Sequence, residues 1–200
     1  KLHKPRNFSA MIRTCDAVGI NEVHAVPGED GVAIHWNTSQ GAEKWMNVRQ
    51  HGSLAEACTD LRGRGFQLIA AHPSDEAVDY REIDYTLPTA LMVGTELFGV
   101  SDSALAEADR KIVIPMKGMT QSLNVSVACA IVLYEAHRQR EAAGCYGQRL
   151  LNEETHVRQR FEWLHPVVAR FCRERGIEYP EIDDAGNVVG SFPRGSAQGS

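Results

Sequence analysis

Apolar residues along this chain fall into two kinds of segment. Residues 66–71, 89–93 and 111–114 are short, nearly continuous apolar runs, while longer stretches repeat an apolar residue every three or four positions. Such runs predict strands buried on both faces, and the longer stretches predict the helices that bury them. Asn7 is placed to cap a helix that runs to about Val18, with Gly19 as its stop. Residues 22–26 read as a strand, and the polar, glycine-bearing residues 27–41 as a loop. Ser53-Leu54-Ala55-Glu56 is a capping box for a helix ending near Arg64-Gly65. Residues 80–85 read as irregular, and Ser101 caps a helix through Ala108. After the last strand, a polar loop and the junction Ser122-Leu123-Asn124-Val125-Ser126 open a long helix that Gly144 ends. Residues 153–175 have helical spacing, and Pro166 is positioned to begin a second short helix. The fold class is therefore α/β, a parallel sheet flanked by helices, with a C-terminal helical extension.

Composition refines this picture. With 43% hydrophobic content, 200 residues can bury one good core and carry an appendage. No apolar run approaches 18 residues and no signal-type leader is seen, so a membrane span is not expected; the sequence starts at Lys1, which leaves an upstream segment open. Five cysteines, odd in number and widely spaced, predict free thiols in a reducing cytoplasm. The net charge of −5 excludes a strongly basic protein. Arginine nevertheless concentrates in residues 138–175, where interleaved glutamates leave two readings open, a binding patch or a solvated helix face. The eight histidines are scattered without metal-ligand spacing, so no metal is expected. Gly63-Arg64-Gly65 precedes a strand instead of following one, and no phosphate-binding loop is present.

Three segments carry chemistry together. Asn7 and Arg13 stand six positions apart ahead of Gly19; a strand ends in Gly94-x-Glu96-x-x-Gly99; residues 112–135 hold the strand, loop and helix junction described above. In this order and spacing they resemble the signature motifs of the SPOUT (SpoU/TrmH) RNA ribose 2'-O-methyltransferases, over about residues 2–140. Residues 79–85 and 134–140 are similar to the TrmH branch of that family.

The resemblance implies a deep trefoil knot (the SPOUT fold), in which residues 115–121 and the following helix tuck through an earlier loop. It implies a knotted domain over residues 1–145, to which the residues themselves add a helical extension over 146–190 and a disordered tail over 191–200. It also implies S-adenosyl-L-methionine as cofactor, tRNA as substrate, a homodimer and a cytoplasmic location. The activity it implies is 2'-O-methylation of ribose in tRNA, above all guanosine 18 of the D-loop. Methylation of another RNA site, such as the tRNA wobble nucleotide or rRNA, and a non-catalytic RNA-binding relative are the competing readings.

Residue by residue, the resemblance makes Arg13, Asn7, Glu96, Ser122 and Asn124 catalytic. Ala71, Gly94, Ile114, Met116, Ser122 and Leu123 would surround the cofactor, and Arg6, Arg13, Arg138 and Arg140 the RNA. Two positions depart from the family's usual pattern: Ala71 replaces a common Thr, and Arg6 a common His. Read from the residues alone, Asn7, Ser122 and Asn124 are equally helix caps, Glu96 an exposed turn acid, and Arg138 and Arg140 a solvated face.

Overall fold

The strands and helices form largely where the apolar pattern puts them in the computed structural model, which describes residues 5–26, 46–94, 99–147 and 152–189. The chain divides into two units, Lys1–Gly147 and Gln148–Ser200. In the first, helix α1 (Pro5–Ala17) precedes strands β1 (Glu22–Ala25) and β2 (Asn47–Gln50), then α2 (Leu54–Gly63), β3 (Gln67–Ala71), β4 (Val78–Asp79), β5 (Thr89–Met92), α3 (Asp102–Glu107), β6 (Arg110–Val113) and α4 (Val125–Ala142). Four strands pair in the order β4-β6-β3-β5, all parallel, and β1 and β2 form a separate parallel pair.

Alternation along β3 sends its side chains to two different covers. Leu68 packs with Cys58 and Leu61 of α2, and Ala70 with Ala104 of α3. Ile69, between them, meets Ile112 and Val132 of α4 on the opposite face. Leu68, Ile69 and Ala70 are fully buried, as a parallel sheet covered on both sides requires. A second cluster joins α1 to α4 through Met11, Ile12, Cys15, Cys129 and Leu133, with Val23, Val48 and Val93 against it. The five cysteines are unpaired; burial pushes the Cys15 thiol up to about 11 and the Cys129 thiol up to about 12, so both stay protonated at neutral pH.

Two strands were not visible in the sequence. β2 is Asn-Val-Arg-Gln, largely exposed, with only Val48 turned to the core, and β4 has only two residues. Both owe their conformation to the neighbouring strand instead of to an apolar pattern. The Asn7 cap does not form either: α1 begins two residues earlier, at Pro5, and Asn7 lies inside its first turns. The loop read over 27–41 and the tail over 191–200 lie outside the described residues.

The second unit holds α5 (Glu153–Leu164), capped by Asn152 through the Thr155 amide, and α6 (Pro166–Arg175), which opens on proline and stops at a left-handed Gly176, φ 63. Phe161, Ala169 and Cys172 are buried between them, and the Phe161 ring stacks on Tyr179 at 4.8 Å. No helix among the described residues is long and apolar enough to cross a membrane.

Candidate active site

Parallel pairing brings the C-terminal ends of β3, β5 and β6 to one edge of the sheet. Ala70 lies opposite Met92 and Ala71 opposite Ile112, so Ala71, Gly94 and Ile114 all reach that edge. In an open α/β sheet this is the edge where ligands bind. Ala71, Gly94, Ile114, Met116 and Leu123 are half-buried there, which leaves apolar surface accessible without a sealed core.

The start of α4 is fixed by Asn124, whose Oδ1 accepts from the Ser126 amide at 2.9 Å and from the Ser126 hydroxyl at 2.6 Å. Of the two junction residues that were read as caps, Asn124 is the cap. Ser122 is exposed beside it, its carbonyl accepting from Thr120 Oγ1 at 2.9 Å. Gly94 is forced by contact: a Cβ there would fall 1.8 Å from the Gly99 carbonyl carbon. The two glycines of Gly-x-Glu-x-x-Gly thus close the ends of one loop on each other, with Gly99 in the left-handed region at φ 66. Glu96 and the side chain of Arg6 lie outside the described residues.

On α1, Asn7 and Arg13 do not share a face. Six residues at about 100° each place them about 120° apart around the helix. Asn7 is turned inward, and its Nδ2 is buried with no hydrogen-bond partner among the described residues. Arg13 is exposed and makes no ion pair among those residues.

The other end of α4 holds residues 83–86 in place. Gln139 Oε1 accepts from the Tyr85 amide at 3.0 Å while its Nε2 donates to the Ile83 carbonyl at 3.0 Å. Arg140 donates to the Tyr85 carbonyl at 3.2 Å, and the buried Tyr85 hydroxyl donates to the Tyr80 carbonyl at 2.8 Å. Arg140 is therefore neither free nor simply solvated, and Arg138 is held by both oxygens of Glu135 at 2.9 and 2.7 Å. That contact keeps the Glu135 carboxyl below its usual range. Sequence reading missed Gln139, since a single amide on a polar helix face carries no signal. Gln139→Ala leaves the Tyr85 amide and Ile83 carbonyl without their partner and is expected to cost about 2 kcal/mol of stability, read from the urea midpoint.

Residues 1–134 match the SpoU rRNA Methylase family, and residues 138–191 match the C-terminal region of SpoU rRNA methylases. The chain belongs to the SpoU rRNA methylase family. Its SpoU relatives include the tRNA (guanosine(18)-2'-O)-methyltransferase of Escherichia coli strain K12, 46% identical over 190 residues, which are 94% of this chain and 83% of the relative. Among solved structures, the A. aeolicus TrmH/SpoU tRNA modifying enzyme superposes with a TM-score of 0.70 at 42% identity, covering 88% of this chain and 85% of that one. The SpoU methyltransferase AviRb from Streptomyces viridochromogenes, solved in complex with the cofactor AdoMet, gives a TM-score of 0.63 at 27% identity, over 70% of this chain and 55% of its own. The SpoU match over residues 1–134 takes in both the sheet edge and α1.

Proposed function

We propose that this chain methylates the ribose 2'-hydroxyl of guanosine 18 in the D-loop of tRNA, using S-adenosylmethionine. The observation that carries this reading is the reach of the match to the Escherichia coli guanosine-18 enzyme, 94% of this chain, which takes in the C-terminal unit as well as the sheet edge. Methylation at another RNA site would use the same edge residues, and that unit is what favours the D-loop.

The edge suits the cofactor. Ile114, Met116 and Leu123 offer half-buried apolar surface to an adenine, and Gly94 brings backbone close. When bound, the cofactor supplies a methyl group already activated by its sulfonium. The protein's task is then positioning: aiming the 2'-oxygen in line and letting its proton leave. Backbone groups at Ala71, Ile114 and Leu123 hold the cofactor, so the alanine in place of threonine at position 71 is tolerated. Asn124 fixes the turn that presents Ser122 and Leu123. Arg13 clamps an RNA phosphate with two of its guanidinium N–H groups and steadies developing charge, while that phosphate or water accepts the proton; guanidinium groups keep their own proton at neutral pH. Glu96 pairs with an arginine of the site, and Arg6, Arg138 and Arg140 contact tRNA.

The same reading includes a homodimer, a trefoil knot over the 115–121 loop and α4, a catalytic domain over residues 1–145 with an RNA-contacting extension over 146–190, and a cytoplasmic location. Val127 and Tyr134, exposed seven residues apart on one stripe of α4, support the dimer face. Methylation of unmodified tRNA with labelled cofactor, followed by mapping of the modified ribose, is expected to place the methyl on guanosine 18. Methyl on the wobble nucleotide or on rRNA alone would overturn the substrate. Failure to bind S-adenosylmethionine in calorimetry would restore a non-catalytic RNA-binding role.

A further inference from the structure

Glu22 and His24 of β1, His51 just after β2, and Glu56 and Asp60 of α2 gather at the separate β1–β2 pair. His24 Nδ1 lies 2.8 Å from His51 Nε2, although the two residues are 27 positions apart. The ring centroids are 5.0 Å apart and the planes differ by 10°. Rings so widely separated with nitrogens so close meet edge to edge, nearly in one plane, with the two inner nitrogens facing each other at hydrogen-bond distance; an ion taken between them replaces that bond and needs the pair to part by about half an ångström.

The outer nitrogens face carboxylates. His24 Nε2 is 2.7 Å from Glu22 Oε1, and His51 Nδ1 is 3.7 Å from Glu56 Oε1. With Nε2 donating to Glu22, the Nδ1 of His24 is left as the acceptor that faces His51. Asp60 completes the set: one ligand atom from each of His24, His51 and Asp60 lies within 4.8 Å of the other two. Both guanidinium contacts to Asp60, from Arg49 at 3.5 Å and Arg64 at 3.3 Å, fall on Oδ2. Three carboxylates (Glu22, Glu56, Asp60) outnumber these two guanidiniums, so the field around the imidazoles favours a cation. An open cleft of about 820 Å³, lined by Arg49, His51, Glu56 and Asp60 among others, gives solvent access.

We propose that His24 Nδ1, His51 Nε2 and Asp60 bind a divalent transition-metal ion of the zinc type, with Glu22 and Glu56 holding the outer imidazole N–H groups. Metal-binding histidines commonly donate their second N–H to a carboxylate, the arrangement that His24 and Glu22 already form. Two imidazoles and one carboxylate suit Zn²⁺, Co²⁺ or Ni²⁺ and not Mg²⁺. On binding, His51 presents Nε2 to the ion and its Nδ1 N–H to Glu56. The ion ties β1 and the end of β2 to α2, and with three protein ligands it keeps a coordination position open toward the cleft.

The test is titration of the EDTA-treated full chain with CoCl₂, then with ZnCl₂, and with MgCl₂ for comparison. The expected result is one cobalt per chain with visible ligand-field bands, displacement by zinc, and a rise in Tm with zinc. Asp60→Asn and Glu22→Gln, with folding checked by circular dichroism, are expected to weaken cobalt binding by about 10–100-fold, and His51→Asn to abolish the bands. His51 is buried, so if its variant does not fold, the other two decide. Absence of saturable binding, an affinity no greater than for magnesium, or binding unchanged in Asp60→Asn and Glu22→Gln overturns the site.

Discussion

Arg13→Ala is expected to lower the rate of methyl transfer to tRNA by about 10²–10³-fold, the loss that follows removal of one preorganised charge-stabilising donor. The fold should be little affected, because Arg13 is exposed and makes no ion pair among the described residues, and surface changes of that kind usually stay within about 0.5 kcal/mol. Binding of S-adenosylmethionine should survive as well, since Arg13 stands on the solvent face of α1, away from the face that buries Asn7. The decisive comparison is Arg13→Lys. Lysine keeps the charge but presents a point donor in place of a planar fork, so a bidentate phosphate clamp predicts activity at least about tenfold below wild type. Single-turnover rates with saturating cofactor measure this directly, and near-full activity in the lysine variant would show that charge alone is sufficient.

That α1 carries two different chemistries explains how much of the site could be read beforehand. The spacing of Asn7 and Arg13 was legible as a motif, and the sheet edge that gathers Ala71, Gly94 and Ile114 followed from three apolar runs forming parallel strands. What a helix does with its faces was not legible. Asn7 looked like a cap because caps favour asparagine; Pro5 can start a helix without needing its own N–H, so the helix begins earlier and the amide turns inward. Contacts between distant segments were equally hidden. The edge-to-edge His24–His51 pair depends on β2, a strand with one inward apolar residue, and Gln139 is fastened to residues 83–85 more than fifty positions away. Neither leaves a periodic trace, because each is fixed by tertiary placement.

Gly94→Ala is the second large effect expected, and glycine by itself would not have predicted it. Gly94 and Gly118 both stand in the segments that carry the family resemblance, yet the protein treats them differently. A Cβ at Gly118 meets nothing within 4 Å, whereas at Gly94 it would fall 1.8 Å from Gly99 carbon and oxygen and 2.1 Å from the Val100 amide nitrogen. Those neighbours are main-chain atoms, so no rotamer change relieves the overlap and the ends of the loop must part. Val100 is buried in the cluster with Ala70 and Ala104, so the displacement reaches the core under α3. Overpacking of this kind costs about 1–3 kcal/mol, enough to lower Tm by several degrees. Because the same loop borders the proposed cofactor edge, affinity for S-adenosylmethionine should fall by about 100-fold or more, since a 1 Å misplacement is felt at that scale. Gly118→Ala separates the two consequences: Tm should stay at the wild-type value, and any change in calorimetric affinity then reports contact with the ligand alone. If Gly94→Ala binds the cofactor normally at wild-type Tm, the loop does not need its ends closed, and the edge cannot depend on that contact.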